Sequence, residues 1–284
     1  VELIIDAQNV LGECALWCDR KQCLWWTDIL GRALWRFTPS TGETKAWDMP
    51  ERLASFALTH NDDRLLLGLE SRLAWFNLVD KEVLTIAEVE ADVPEVRLND
   101  GRCDRQGRFV FGTMNEAIGR APIGKFFRLG HDLKLEQLPL KPVAIANSIC
   151  FSPDGGIMYF CDSLSGAIRC CDYGEEISGE REFAILPPGC GEPDGSLVDA
   201  DGFLWNAEWG AGRVVRYRPD GSIERAIAVP VSQPTCPVFG GPMLDELFVT
   251  SALVDLMARE PYAGGVFSMR VTDAVGLPES RFGS

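Results

Sequence analysis

Histidine is scarce: His60 and His131 are the only two in 284 residues, and both fall in turn-like stretches, His131 between Gly130 and Asp132. There is no GxSxG elbow either. Together these absences argue against a Ser-His-Asp hydrolase and against a histidine-rich zinc site, although zinc bound by oxygen stays open. No apolar run approaches the roughly 18 to 20 residues needed to cross a bilayer, so no membrane is expected as a partner. The opening Val1-Glu2-Leu3-Ile4-Ile5-Asp6 carries acids where a secretory leader would carry Lys or Arg, and a soluble, cytoplasmic protein is expected. Basic clusters are missing too. The net charge of -15 repels phosphate backbones and anionic lipid, so nucleic acid is not an expected partner, and surplus acid of this kind reads first as solubility.

The ten cysteines contain no CxxC pair, and Cys14, Cys18 and Cys23, the nearest thing to a cluster, have no histidine beside them. Most others sit in apolar runs, as Cys150 does in Ile-Cys-Phe and Cys161 in Tyr-Phe-Cys-Asp. They read as buried reduced thiols.

What the chain has in quantity is apolar side chain, 46% against 24% charged, enough for a substantial core. It also has repeats. Turn signals recur at Asp19-Arg20-Lys21, Asn61-Asp62-Asp63, Asp104-Arg105-Gln106-Gly107, Ser152-Pro153-Asp154-Gly155, Asp199-Ala200-Asp201-Gly202 and Gly240-Gly241-Pro242. A short apolar run such as Leu24-Trp25-Trp26 or Phe109-Val110-Phe111 follows each one and predicts a buried strand. Most units add a glycine and a second, partly alternating run, then a polar hairpin such as Pro219-Asp220-Gly221. Four strands per unit at a spacing of roughly 40 to 50 residues is the pattern of a propeller blade. The expected fold is all-β: one six-bladed β-propeller domain over residues 1–284, with four-stranded antiparallel blades around a channel and the N-terminal strand, near residues 2–6, closing the last blade. The stretch from Glu116 to Lys125 is the longest insertion and reads as a loop over one face.

Eight positions before a fixed point in each turn stands a polar residue: Glu13, Ser55, Asn99, Asn147, Asp194 and Thr235. In a propeller these positions start the inner strands and meet at one end of the channel. Polar residues there can cap turns or bind channel water. Two carboxylates and two amides brought together in a low-dielectric space instead call for a cation or a proton, and oxygen donors suit a hard divalent ion. Trp17, Trp25, Trp26 and Trp35 read as packing between blades and not as a sugar-stacking platform.

At these residues the chain resembles the senescence marker protein, regucalcin and gluconolactonase family of six-bladed propellers. The similar segments are Leu11-Gly12-Glu13-Cys14-Ala15-Leu16-Trp17, Arg97-Leu98-Asn99-Asp100-Gly101, Gly112-Thr113-Met114, Ala146-Asn147-Ser148 with Phe151-Ser152-Pro153-Asp154-Gly155, Pro193-Asp194-Gly195, and Pro234-Thr235-Cys236 through Leu247-Phe248-Val249-Thr250-Ser251-Ala252. The resemblance implies a divalent metal held by Glu13, Asn147 and Asp194, with Arg97 and Asn99 binding substrate and a sugar lactone as the molecule hydrolysed. Mammalian members carry a substrate-contacting Glu where this chain has Ala117; Glu116, one residue earlier, is counted here as the substrate-binding candidate.

Lactone opening needs a polarised carbonyl, an activated water and relief of the leaving alkoxide, and these parts fit it. Asp194 is the candidate general base, and Arg97 and Asn99 can donate to sugar hydroxyls or to the developing oxyanion. The expected activity is hydrolysis of an aldonolactone such as arabinono-, xylono- or gluconolactone with one divalent ion, Ca2+ favoured and Zn2+, Mn2+, Mg2+ or Fe2+ open, in a monomer. A promiscuous arylesterase or phosphotriesterase with the same metal, and a non-enzymatic calcium-binding regulator, are the alternatives.

Overall fold

Each turn-bounded unit builds one four-stranded antiparallel sheet, and the computed structural model, which describes residues 1–283, arranges the six sheets as a six-bladed β-propeller. The inner strands are Gly12–Cys18, Leu53–Leu58, Val96–Cys103, Ala146–Phe151, Glu192–Val198 and Pro234–Gly240 for blades 1 to 6. Each inner strand packs against the inner strand of the next blade, and blade 6 returns to blade 1. Inner and second strands are buried on both faces, which is why they read as continuous apolar runs; the outermost, such as Val83–Glu88 and Ile223–Ala228, are exposed or only half-buried along their length.

The core lies between blades. Six clusters of buried side chains fill the six seams, among them Trp25, Trp47, Phe56 and Phe76 between blades 1 and 2, and Trp17, Trp26, Val238 and Phe248 between blades 6 and 1. Trp17 stacks on Phe248 with ring centroids 5.5 Å apart, and Trp25 stacks on Trp47 at 5.3 Å. Nine cysteines are buried and Cys190 is partly so, all as free thiols.

Blade 6 takes its outer strand from the other end of the chain: Glu2–Ile5 pairs antiparallel with Val266–Arg270. The C-terminal stretch then runs across the far end of the channel. Val275 accepts a hydrogen bond from the Ala200 amide, Gly276 donates to Leu244, Phe282 donates to Leu58 and Gly283 donates to Gly107. Glu279 pairs at 2.9 Å with Arg102, whose guanidinium also donates to Ser196 O in blade 5 and Ala15 O in blade 1. That end of the channel is thus filled by a charged plug under a strap. Among the described residues no helix is long and apolar enough to cross a membrane.

Candidate functional site

The opposite end holds the starts of the inner strands, and there every ladder slips. Register shifts occur between Glu13 and Leu16, Leu53 and Ser55, Leu98 and Gly101, Asn147 and Cys150, Pro193 and Ser196, and Pro234 and Pro237. A β-bulge of this kind bends the strand and re-aims a side chain. In blades 1 and 4 the residue after the polar slot carries the distortion, Cys14 at φ 48° and Ser148 at φ 60°, left-handed values that non-glycine residues avoid unless the surroundings enforce them.

A cavity of about 440 Å³ opens at this end. Four of the six slot residues line it: Glu13, Asn99, Asn147 and Asp194. The other two turn to internal work. Thr235 donates its hydroxyl to the Gly12 carbonyl, and Ser55 is fully buried beside Gly101. Arg97 and Glu116 also line the cavity, so every residue singled out for metal or substrate faces one space. Leu11, Leu30, Met114, Ile145, Trp209 and Val254 supply apolar wall, which suits a small organic ligand.

Arg97 is 4% exposed and its guanidinium is held at three points, one of them the Leu98 carbonyl, to which Nη1 donates at 2.8 Å. Its Nε donates to Glu116 Oε1 at 2.9 Å, and its Nη1 donates to Asn99 Oδ1 at 2.8 Å. Burial pulls the guanidinium below its ordinary pKa, and Glu116 opposes that pull. Glu116 is itself pushed up by burial, but Arg52 and Arg97 outweigh this and keep it below the usual carboxylate range. Arg52 Nη1 donates to Glu116 at 2.8 Å and its other arm pairs with Glu70. Glu116 therefore sits between two cations, with Arg97 on the cavity side.

The carboxyls of Glu13 and Asp194 crowd each other. Burial first, and then the nearby Asp100, raises Glu13 to about 8. Asp194 is pushed well above its ordinary value by burial and then by Glu13. Asp194 Oδ1 is buried and, among the described residues, has no hydrogen-bond donor. Two buried carboxylates can share this space only with a proton or a cation between them. Asn147 Oδ1 completes a donor set of two carboxylates and one amide oxygen, which fits a hard divalent cation. Among the described residues no group of three or more His, Cys, Asp or Glu side chains is placed to hold a metal, so such a site depends on the amide of Asn147 as third donor.

Sequence reasoning passed over several residues of this neighbourhood. Arg52 and Glu70 come from blade 2 and reach the cavity only through Glu116, while Ser163 comes from the loop after the second strand of blade 4. None carries a motif, because each meets its partners far along the chain: Arg52 meets Glu70 and Glu116, and Ser163 meets Asn147 and Pro193. Asp104, by contrast, is a turn residue at the far end, fully buried and bound by Arg108 and the Tyr173 hydroxyl.

Comparison with known proteins adds an independent finding. The model of the "SMP-30/Gluconolactonase/LRE-like region" family matches residues 11–253. An L-arabinolactonase of Azospirillum brasilense is 51% identical over 289 residues, covering 99% of this chain and 94% of that protein. Regucalcin of Xenopus laevis is 31% identical, covering 99% of this chain and 98% of its own. Among solved structures, a calcium-binding protein, regucalcin, of Agrobacterium tumefaciens superposes with a TM-score of 0.93 at 30% identity over 99% of this chain and 96% of that one.

Proposed function

The chain belongs to the SMP-30/gluconolactonase/LRE-like family, and from that premise we propose that it is a lactonase, a hydrolase that opens a sugar lactone to the sugar acid. The observation that carries the reading is the donor set at the channel mouth: Glu13, Asn147 and Asp194 face one cavity, and Asp194 Oδ1 has no hydrogen-bond donor among the described residues. These three residues would hold a divalent cation, which when bound supplies Lewis acidity to polarise a carbonyl and acidify a water. Calcium is the favoured ion, supported by the oxygen-only donor set and by the calcium-binding Agrobacterium relative. A five-carbon lactone is the favoured substrate, after the Azospirillum relative.

The chain's own groups divide the remaining work. Arg97 and Asn99 lie on the blade 3 side of the cavity, where the guanidinium can donate to a ring hydroxyl or to the oxygen that gains negative charge as the carbonyl is attacked. Glu116 keeps that guanidinium charged and aimed. Asp194 takes the proton of the attacking water at its carboxylate and returns it to the ring oxygen as the C–O bond breaks. Water is added across the ester bond, and at neutral pH the carboxylic acid formed ionises and releases one proton. We place this reaction in the cytoplasm and in a monomer.

A pH-indicator assay over a panel of aldonolactones and aryl esters tests the reading. Acid release from at least one five- or six-carbon lactone should exceed hydrolysis of any aryl ester and should vanish with chelator. Asp194→Ala should lower kcat by about 100-fold or more, the scale of a lost general base. Turnover of no lactone would end the proposal, and unchanged turnover in Asp194→Ala would remove Asp194 from its role.

A further inference from the structure

A cation ligand made from an asparagine has a right and a wrong end. Turning the side-chain amide by half a rotation replaces an acceptor oxygen with an N–H2 group and aims donors at the cation. Glu13 and Asp194 have no such problem, since both ends of a carboxylate accept. Something must therefore hold Asn147 the right way round.

The answer is a one-way relay of hydrogen bonds that begins and ends on groups unable to reverse. Arg97 only donates, so Asn99 turns its Oδ1 towards Arg97 Nη1 at 2.8 Å. That leaves the Asn99 amide N–H2 to donate to Asn147 Oδ1 at 3.0 Å. At the other end the Pro193 carbonyl only accepts, and it takes the single proton of the Ser163 hydroxyl at 2.8 Å. With that proton committed, Ser163 Oγ can only accept from Asn147, and Asn147 Nδ2 donates to it at 3.0 Å. The Asn147 oxygen is thereby left on the side of Asn99 and the cavity.

Ser163 is well placed for this. It is 4% exposed and opens the short 3-10 turn Ser163–Ser165, whose cap, Asp162, also accepts from the amides of Ala144 and Ile145 at 2.8 and 3.1 Å. One hydroxyl thus ties the blade 4 amide to the blade 5 peptide that precedes Asp194. We infer that Ser163 is a positioning residue that sets the polarity of the Asn147 amide for cation binding. The inference rests on the reading of Asn147 as a ligand.

The test is calorimetric titration of the chelator-stripped protein with Ca2+, in wild type, Ser163→Ala, Asn147→Ala, Asn147→Asp and the pair Ser163→Ala with Asn147→Asp. Ser163→Ala should weaken binding by about 10- to 100-fold, the usual loss when a group supporting a metal ligand is removed. Pro193 O keeps a second neighbour in Cys161 Sγ, at 3.5 Å, so the stripped variant should melt close to wild type. In the Asn147→Asp background, where the side chain has no wrong end, the same Ser163→Ala change should cost less than about threefold. An equal penalty in both backgrounds, or none in the first, overturns the inference and leaves the ligand reading standing. A wild type that binds no Ca2+, or an Asn147→Ala that binds it as tightly, overturns both.

Discussion

Glu13 and Asp194 are carboxyls whose ionisation their surroundings resist. A buried carboxyl raised to about 8 stabilises the fold fully below its unfolded value near 4.5, and loses that contribution as pH rises through 8, because the folded state must then give up a proton it holds more tightly than the unfolded chain does. Asp194 is shifted in the same direction. Chelated protein should therefore lose melting temperature between pH 5 and 8, and the increment restored by excess Ca2+ should grow over that window. Scanning fluorimetry with and without EDTA reads the difference, and Glu13→Gln should flatten it; a cation increment independent of pH would refute the account. These carboxylates were legible in the sequence because the turn register repeats, so a polar residue at one position in six units stands out. Arg52, Glu70 and Ser163 were not, since nothing local distinguishes an arginine that meets a glutamate 64 residues away from one that meets water.

At the scale of the strand, the bulges and the glycines decide how closely blades approach. Gly240 ends the inner strand of blade 6, and a Cβ there would lie 2.5 Å from the Trp17 ring and 2.8 Å from Phe248, both fully packed. Its backbone is not left-handed, so Gly240→Ala carries a purely steric penalty. Overpacking of this kind costs about 1 to 3 kcal/mol, visible as a lower denaturation midpoint at unchanged slope. An unshifted midpoint would mean that the seam can open. The strands themselves were readable from turn residues and apolar runs because inner strands are buried on both faces. The outer strands were harder to read: blade 3 ends in the three-residue Leu135–Gln137, half-exposed and without a strong pattern. The bulges left no mark in the periodicity, because a single inserted residue looks like ordinary irregularity until its partner strand is known.

Over the whole molecule, the ring is tied in two ways: by Glu2–Ile5 on the edge of blade 6, and by the terminal strap that touches blades 1, 2, 3, 5 and 6. Arg102 and Glu279 have 11% and 13% exposed side chains, so Glu279→Gln leaves a guanidinium without its counter-charge inside the ring. Breaking a pair at such depth costs about 3 kcal/mol or more. Equilibrium denaturation should record that loss, while Ca2+ affinity at the opposite end stays at its wild-type value; a coupled fall in affinity would mean that the strap governs the mouth. No reading of the sequence could find this pairing, since it joins residues 177 positions apart through the axis of the ring.

The plug also makes the cavity a cul-de-sac. Reactant and product share one doorway, to a cavity whose lining includes Glu192 and Asp255 beside Arg120, in a molecule of net charge -15. An uncharged ring passes that gate without resistance. The carboxylate it becomes meets Arg97 inside and Glu192 and Asp255 on the way out, so release of the product responds to charge where entry of the lactone does not.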